Sequence, residues 1–256
     1  MAEEHDTVLY QVDGGIARIT LNRPEKRNAL NEALVAELKT HLRLADEDAA
    51  VRVVVISGAG QDFCSGADLA ALQKLSEASV AENIDDARSL MELFMLMRQA
   101  TVPVVAAVRG KALAGGCGLA SACDIVLAST NARFGYPEVK IGFVPAMVTA
   151  ILRRNVSEKR AFELITHGAE ITASEAKEFG LVNQVFAEEA FEREITDYSR
   201  GFEKMSRSAV ALTKTLLYQI DGMAFGDAME TGVDVNVIAR MSEDCRKGIA
   251  RFLKKE

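Results

Sequence analysis

Hydrophobic and polar positions alternate over TVLYQVDGGIARITL, residues 7–21, with Asp13-Gly14-Gly15 at the centre. A period of two predicts a half-buried strand, and the glycine pair predicts a tight turn, so these residues read as a hairpin. Asn22-Arg23-Pro24 breaks it. Leu30, Leu34, Leu38 and Leu42 then recur every four residues, the stripe of an amphipathic helix. VRVVVIS, residues 51–57, is a β-branched run without a polar face and predicts a buried strand, ended by Gly58-Ala59-Gly60.

From about Leu69 to Arg98 the spacing turns helical, with Leu90, Leu93, Phe94 and Met97 on one face. Strands are predicted at 101–108, at 125–128 and at 181–186. RFGYPEVKIGFVPA, residues 133–146, holds two glycines and two prolines and reads as loop and short strand. Thr172-Ala-Ser-Glu175 fits a capping box, and Gly180 fits the end of that helix. Beyond about Glu188 only helical patterns remain, ending in the cationic RFLKKE. The order predicts a largely parallel α/β core over residues 1–190 and a helical C-terminal region over 191–256. That helical region has little core of its own to bury, so it is expected to pack on another subunit.

Composition narrows the function. The chain has 256 residues, 49% hydrophobic and 26% charged, ordinary values for one large globular α/β domain. A formal charge of −7 disfavours a nucleic-acid binder. The four cysteines are irregularly spaced and have no histidine nearby, so they predict reduced thiols of a cytoplasmic protein and no zinc site. MAEEHDTVLY carries no apolar signal region, and the apolar run Val102–Val108 is too short to cross a membrane.

No phosphate-loop motif is present, and Phe63 stands where a dinucleotide fingerprint needs its third glycine. His5, His41 and His167 are scattered, and no serine sits in a G-x-S-x-G elbow, which disfavours a histidine-based hydrolase. Two glycine-bearing segments remain, SGAD (65–68) and AGG (114–116), each after a strand and before a helix. Each could aim a backbone N–H at a shared point and form an oxyanion hole. On pattern alone, plain strand-to-helix turns are the commoner outcome. Glu138, flanked by apolar residues in FGYPEVKIGF, is the acid–base candidate, against an edge-strand glutamate facing solvent or Lys140.

These segments together resemble the crotonase superfamily, the enoyl-CoA hydratases and isomerases, along nearly the whole chain. LNRPEKRNAL is similar to the family's first CoA-contacting segment, and GQDFCSGADL to its first oxyanion segment. GKALAGGCGLASACDIVLAS resembles the second oxyanion segment, FGYPEVKIGFVP the catalytic-glutamate segment, and ARFLKK the C-terminal one. The resemblance implies a spiral of ββα units with a helical C-terminal trimerisation region, forming a homotrimer or a hexamer built as a dimer of trimers. It implies that the N–H groups of Ala67 and Gly115 hold the thioester carbonyl. It places Lys26, Ala29, Asp68 and Leu69 at CoA, and Phe252 and Lys255 at a neighbouring subunit's CoA. Acyl-CoA is the substrate, and no separate cofactor, metal, nucleic acid or membrane is expected.

One position departs from the family's two-glutamate pattern: the first glutamate is replaced by Gly118, while the second is kept as Glu138. Three readings follow. Hydration of a 2-enoyl-CoA through Glu138 alone is favoured, because PEVKIGFVPA is nearer to members named hydratases. Isomerisation between 3-enoyl and 2-enoyl forms needs only one shuttling base and is the alternative. A non-catalytic CoA-binding scaffold is the third. Asp68, Glu82 and Asp85 are the carboxylates to inspect for a replacement acid. Straight, branched and aromatic acyl groups stay open, as do fatty-acid and amino-acid breakdown.

Overall fold

The computed structural model describes residues 6–253, apart from the Leu69 side chain. The alternating segment is a hairpin: β1 (Val8–Asp13) and β2 (Ile16–Leu21) pair antiparallel, Val8 opposite Leu21. After a 3-10 turn at Pro24–Lys26 comes α1 (Glu32–Glu47), whose first turn is capped by Asn31 Oδ1 accepting from the Leu34 amide at 3.0 Å. Leu34, Leu38 and Leu42 are buried against the sheet, each contributing roughly 1.5–3 kcal/mol. Leu30 lies outside the helix and instead forms a parallel bridge with Ala67, so the leucine stripe overstates the helix by one turn.

β3 (Val53–Gly58) runs parallel to β2, and both of its faces are covered. Val54 and Ile56 enter the main core, while Val53 and Val55 enter a second core on the opposite side. That explains the missing polar alternation in VRVVVIS. The helical stretch at 69–98 is two helices, α2 (Leu69–Glu77) and α3 (Val80–Gln99). Ala78 ends the first and Ser79 caps the second in a box with Glu82, so the break at 78–79 is locally encoded.

The middle of the chain supplies β4 (Val104–Val108), β5 (Lys111–Leu113), α4 (Gly115–Ala122), β6 (Ile125–Ser129) and β7 (Arg133–Gly135). α5 (Ala146–Asn155), α6 (Glu158–His167), β8 (Glu170–Thr172), α7 (Ala173–Glu178) and β9 (Gln184–Phe186) follow, with the capping box at Thr172 and Glu175 present. The main sheet has the order β1-β2-β3-β4-β6-β9 and is parallel from β2 onward. A second sheet, β5-β7-β8, was not expected from the sequence; its strands have three residues each, too few to show a period.

The C-terminal helices are α8 (Phe191–Arg200), α9 (Arg207–Gln219), α10 (Phe225–Met241) and α11 (Glu243–Leu253). α8 places Phe191 and Ile195 against Val53, Val55, Val105 and Leu127. α9 is clamped to the core by the buried Lys214, whose Nζ donates to Met97 O, Val102 O and Asp124 Oδ2 at 2.8, 3.0 and 2.7 Å. α10 and α11 bury no residue, and Phe225, Met241 and Phe252 are 81%, 66% and 70% exposed. Among the described residues no helix is long and apolar enough to cross a membrane.

Candidate active site

Three chain segments meet beyond the ends of β3, β5 and β7. The first, after β3, is sewn to β5 by main-chain bonds: Cys64 N–H donates to Lys111 O at 3.0 Å, and Leu113 N–H donates to Cys64 O at 2.9 Å. The same segment bridges to Leu30, whose N–H donates to Gly66 O at 2.7 Å and whose carbonyl accepts from Asp68 N–H at 2.9 Å. In such a bridge the residue between the two bonded groups points its own N–H to the opposite side. That residue is Ala67, and its amide donates no hydrogen bond among the described residues.

The second segment is the start of α4. Ala114 precedes it at φ 50° and ψ −128°, a left-handed torsion that an L-residue rarely adopts and that costs of order 1–3 kcal/mol. It is held there by its own N–H, which donates to Gly135 O at 2.8 Å. Among the described residues the amides of Gly115, Gly116 and Cys117 have no acceptor; the first helical bond is from Gly118 N–H to Ala114 O at 2.9 Å. Unpaired first-turn amides carry the positive end of the helix dipole.

The two segments touch. A Cβ placed on Gly66 (φ +97°) would lie 2.7 Å from Ala114 Cβ and 3.4 Å from Gly115 N. A Cβ on Gly116 would lie 2.2 Å from Cys64 O, so only glycine lets α4 come this close to the first segment. SGAD and AGG thus bring two amides that are unpaired among the described residues, those of Ala67 and Gly115, onto adjoining backbone.

The third segment carries Glu138. It stands in a 3-10 turn, Pro137–Ile141, rather than on an edge strand, and it is buried at 8% exposure. Its Oε2 has no hydrogen-bond partner among the described residues. Burial pushes its carboxyl above the ordinary range. Burial also pushes the Cys117 thiol up to about 12, and the Glu138 charge adds to this, which places Glu138 electrostatically beside α4. A thiol so raised is protonated and not a nucleophile.

Gly118, one turn into α4, is buried; a Cβ there would lie 2.5 Å from Val148 Cγ2 and 3.7 Å from Phe94 Cζ. The three carboxylates considered as replacement acids are placed elsewhere. Asp68 caps α2 and pairs with Arg23 at 2.8 Å, which holds its carboxyl below the ordinary range. Glu82 is taken up by the Ser79 capping box, and Asp85 is exposed on α3.

The expected CoA positions fall partly together. Lys26 ends the 3-10 turn at 24–26; Ala29 follows it, its N–H donating to Lys26 O at 3.1 Å, and the Lys26 charge reaches Asp68. Leu69 opens α2 directly after Asp68. Phe252 lies on α11, which packs on α9 and α10. Lys255 lies outside the described residues.

Two organising residues were missed from the sequence. Arg23 pairs with Asp68 and also donates to Ala29 O at 2.6 Å. Asn28, fully buried at φ 54°, donates to Ala59 O and Asp62 O and accepts from Arg23 N–H. The readiness of asparagine for left-handed backbone was the one available signal, in NRPEKRN.

A cavity of about 360 Å³ between α9 and the starts of β4 and β6 holds Asp124, Lys214 and Tyr218. It offers no chemistry, because the donors of Lys214 and both oxygens of Asp124 are already bonded. Among the described residues no group of three potential metal ligands occurs.

Comparison with known proteins gives consistent findings. The family model for enoyl-CoA hydratase/isomerase matches residues 11–256. The 2,3-dehydroadipyl-CoA hydratase of Escherichia coli is 35% identical over 238 residues, covering 93% of this chain and 91% of that protein. The crotonyl-CoA hydratase of Syntrophomonas wolfei is 32% identical over 253 residues, covering 98% and 96%. The crystal structure of an enoyl-CoA hydratase from Mycobacterium smegmatis superposes with a TM-score of 0.94 at 32% identity, covering 98% of each chain.

Proposed function

The chain belongs to the enoyl-CoA hydratase/isomerase family, and from that membership we propose that it adds water to a 2-enoyl-CoA thioester, with Glu138 as its acid–base residue. One observation carries the assignment: a buried carboxylate oxygen without a partner, beside a helix whose first amides are also unpaired. Glu138 takes a proton from water as the water oxygen attacks C3. The C2–C3 π electrons move to C2 and the thioester carbonyl, whose oxygen becomes an enolate held by the Ala67 and Gly115 N–H groups. The Glu138 carboxyl then returns the proton to C2 on the same face. The net change is addition of one water, and the reverse sequence removes it.

Lys26, Ala29, Asp68 and Leu69 line the approach of the CoA moiety, with Arg23 holding Asp68 in place. The protein assembles as a homotrimer or a dimer of trimers. The uncovered apolar side chains of α10 and α11 support this, and they leave Phe252 free to reach a neighbouring copy's CoA.

A second reading, Δ3,Δ2-enoyl-CoA isomerisation, is favoured by the packing at Gly118. Val148 and Phe94 fill that space, leaving one carboxylate, and a single base suffices to move a proton between C2 and C4. Parallel incubation with crotonyl-CoA and a 3-enoyl-CoA, followed by mass analysis, separates the two. A gain of one water establishes hydration; a moved double bond at unchanged mass establishes isomerisation; no product with either, alongside measurable acyl-CoA binding, defeats both. Glu138→Gln is expected to lower turnover by about 10²–10⁴-fold or more while acyl-CoA binding persists. Retained turnover in that variant defeats the assignment of Glu138.

A further inference from the structure

Glu138 follows Tyr136 by two residues, and Tyr136 is one of the largest side chains with no solvent exposure. Its phenol oxygen lies 2.8 Å from Ser121 Oγ, which is itself buried on α4. The direction of this bond follows from counting protons. Ser121 has one hydroxyl hydrogen and donates it to Cys117 O at 2.7 Å. Its oxygen is left as an acceptor, so Tyr136 is the donor. At the other end of the segment, Ala114 N–H donates to Gly135 O.

Residues 135–138 are therefore tied to α4 at two points, Ala114 and Ser121, about 10 Å apart along the helix at 1.5 Å per residue. Gly115 lies between them. Only Pro137, with its fixed φ, separates Tyr136 from Glu138, so the placement of the phenol is passed on to the carboxylate. Phenylalanine would fill the same volume without a buried hydroxyl to satisfy, as Phe134 does two residues earlier. A directional bond adds what apolar packing lacks, one fixed register between the segment and the helix.

We propose that Tyr136 and Ser121 are positioning residues, a strut that sets the Glu138 carboxylate relative to the Gly115 amide. This rests on the acid–base role given to Glu138 above.

The test uses the full-length protein as wild type, Tyr136→Phe, Ser121→Ala, the double variant and Glu138→Gln. The substrate is whichever of crotonyl-CoA or a 3-enoyl-CoA the wild type turns over. Kinetic constants, the acid limb of the kcat–pH profile and Tm are recorded for each. A misplacement of about 1 Å costs about 10²-fold, so Tyr136→Phe should lower kcat by up to that factor with KM unchanged. Ser121→Ala should lower it at least as far, since it also removes the bond to Cys117 O, and the double variant should be no worse than Ser121→Ala, because the Tyr136–Ser121 bond is shared by both changes. The acid limb should move down toward the ordinary carboxylate range as water reaches a displaced Glu138. Wild-type kcat and acid limb in Tyr136→Phe, with Glu138→Gln inactive, overturns the strut alone, whatever happens to Tm. Wild-type turnover in Glu138→Gln overturns the acid–base role and the strut with it. If Tyr136→Phe does not fold, Ser121→Ala decides on the same criteria.

Discussion

Val148 occupies the place where a side chain at Gly118 would begin. A Cβ on Gly118 would lie 2.5 Å from Val148 Cγ2, inside any ordinary contact between carbons. The glycine is thus a packed joint between α4 and α5.

In an exposed helix interior, Gly→Ala gains about 1 kcal/mol from propensity. At position 118 the sign should reverse. Gly118→Ala should lose about 1–3 kcal/mol through overpacking, and Val148→Ala in the same chain should recover much of it. Urea unfolding of the two single variants and the double variant measures this coupling. Stabilisation by Gly118→Ala alone contradicts it. For the same reason Gly118→Glu should give no gain in hydration unless Val148 is also shortened.

The buried carboxyl of Glu138 gives a pH signature. Its folded pKa lies above its unfolded one because burial disfavours the charged form. Between those two values the native state binds more protons than the unfolded state, so stability falls as pH rises through this window. Below the unfolded value the penalty is absent, and above the folded value it is complete. Glu138→Gln cannot ionise and should be more stable than wild type at neutral pH, with the difference vanishing in acid. Paired melting curves across pH test this; equal Tm values at neutral pH contradict it.

Lys214→Met should be among the most damaging changes outside the site. It leaves the half-buried Asp124 without its cation and removes the bonds to Met97 O and Val102 O, a loss of about 3–5 kcal/mol. Denaturant midpoints measure it, and a loss below about 1 kcal/mol would place Lys214 with ordinary surface pairs.

If α10 is covered by a neighbouring copy, charge on its exposed face should split the assembly. Val233 and Val237 are 55% and 48% exposed within one chain. Val233→Glu with Val237→Glu should lower the mass seen by light scattering while far-UV circular dichroism stays unchanged. An unaltered mass excludes this face.

The elements with strong local periods were legible: the β1–β2 hairpin, the helical part of the leucine stripe (Leu34, Leu38 and Leu42) and the two-faced run of β3. The β5-β7-β8 sheet was not, since three-residue strands are fixed by their partners and not by their own pattern. The split at Ser79 was encoded in S-x-x-E but lay inside a longer helical spacing that hid it. At the site, the backbone segments were visible because glycine marks close approach. What stayed hidden were contacts across sequence distance. Val148 reaches Gly118 from thirty residues away, Tyr136 reads as core until Ser121 is beside it, and nothing in an alanine announces the torsion at Ala114.

That torsion bears on the energetics of any reaction that places negative charge at the start of α4. Ala114 is held in its strained state by Gly135 O in the free protein, so the amides after it are aligned before a ligand arrives. Water dipoles would have to turn toward a new charge and would lose part of the stabilisation in turning. Dipoles frozen by folding have already met that reorganisation energy, and the charge that forms receives nearly the full field.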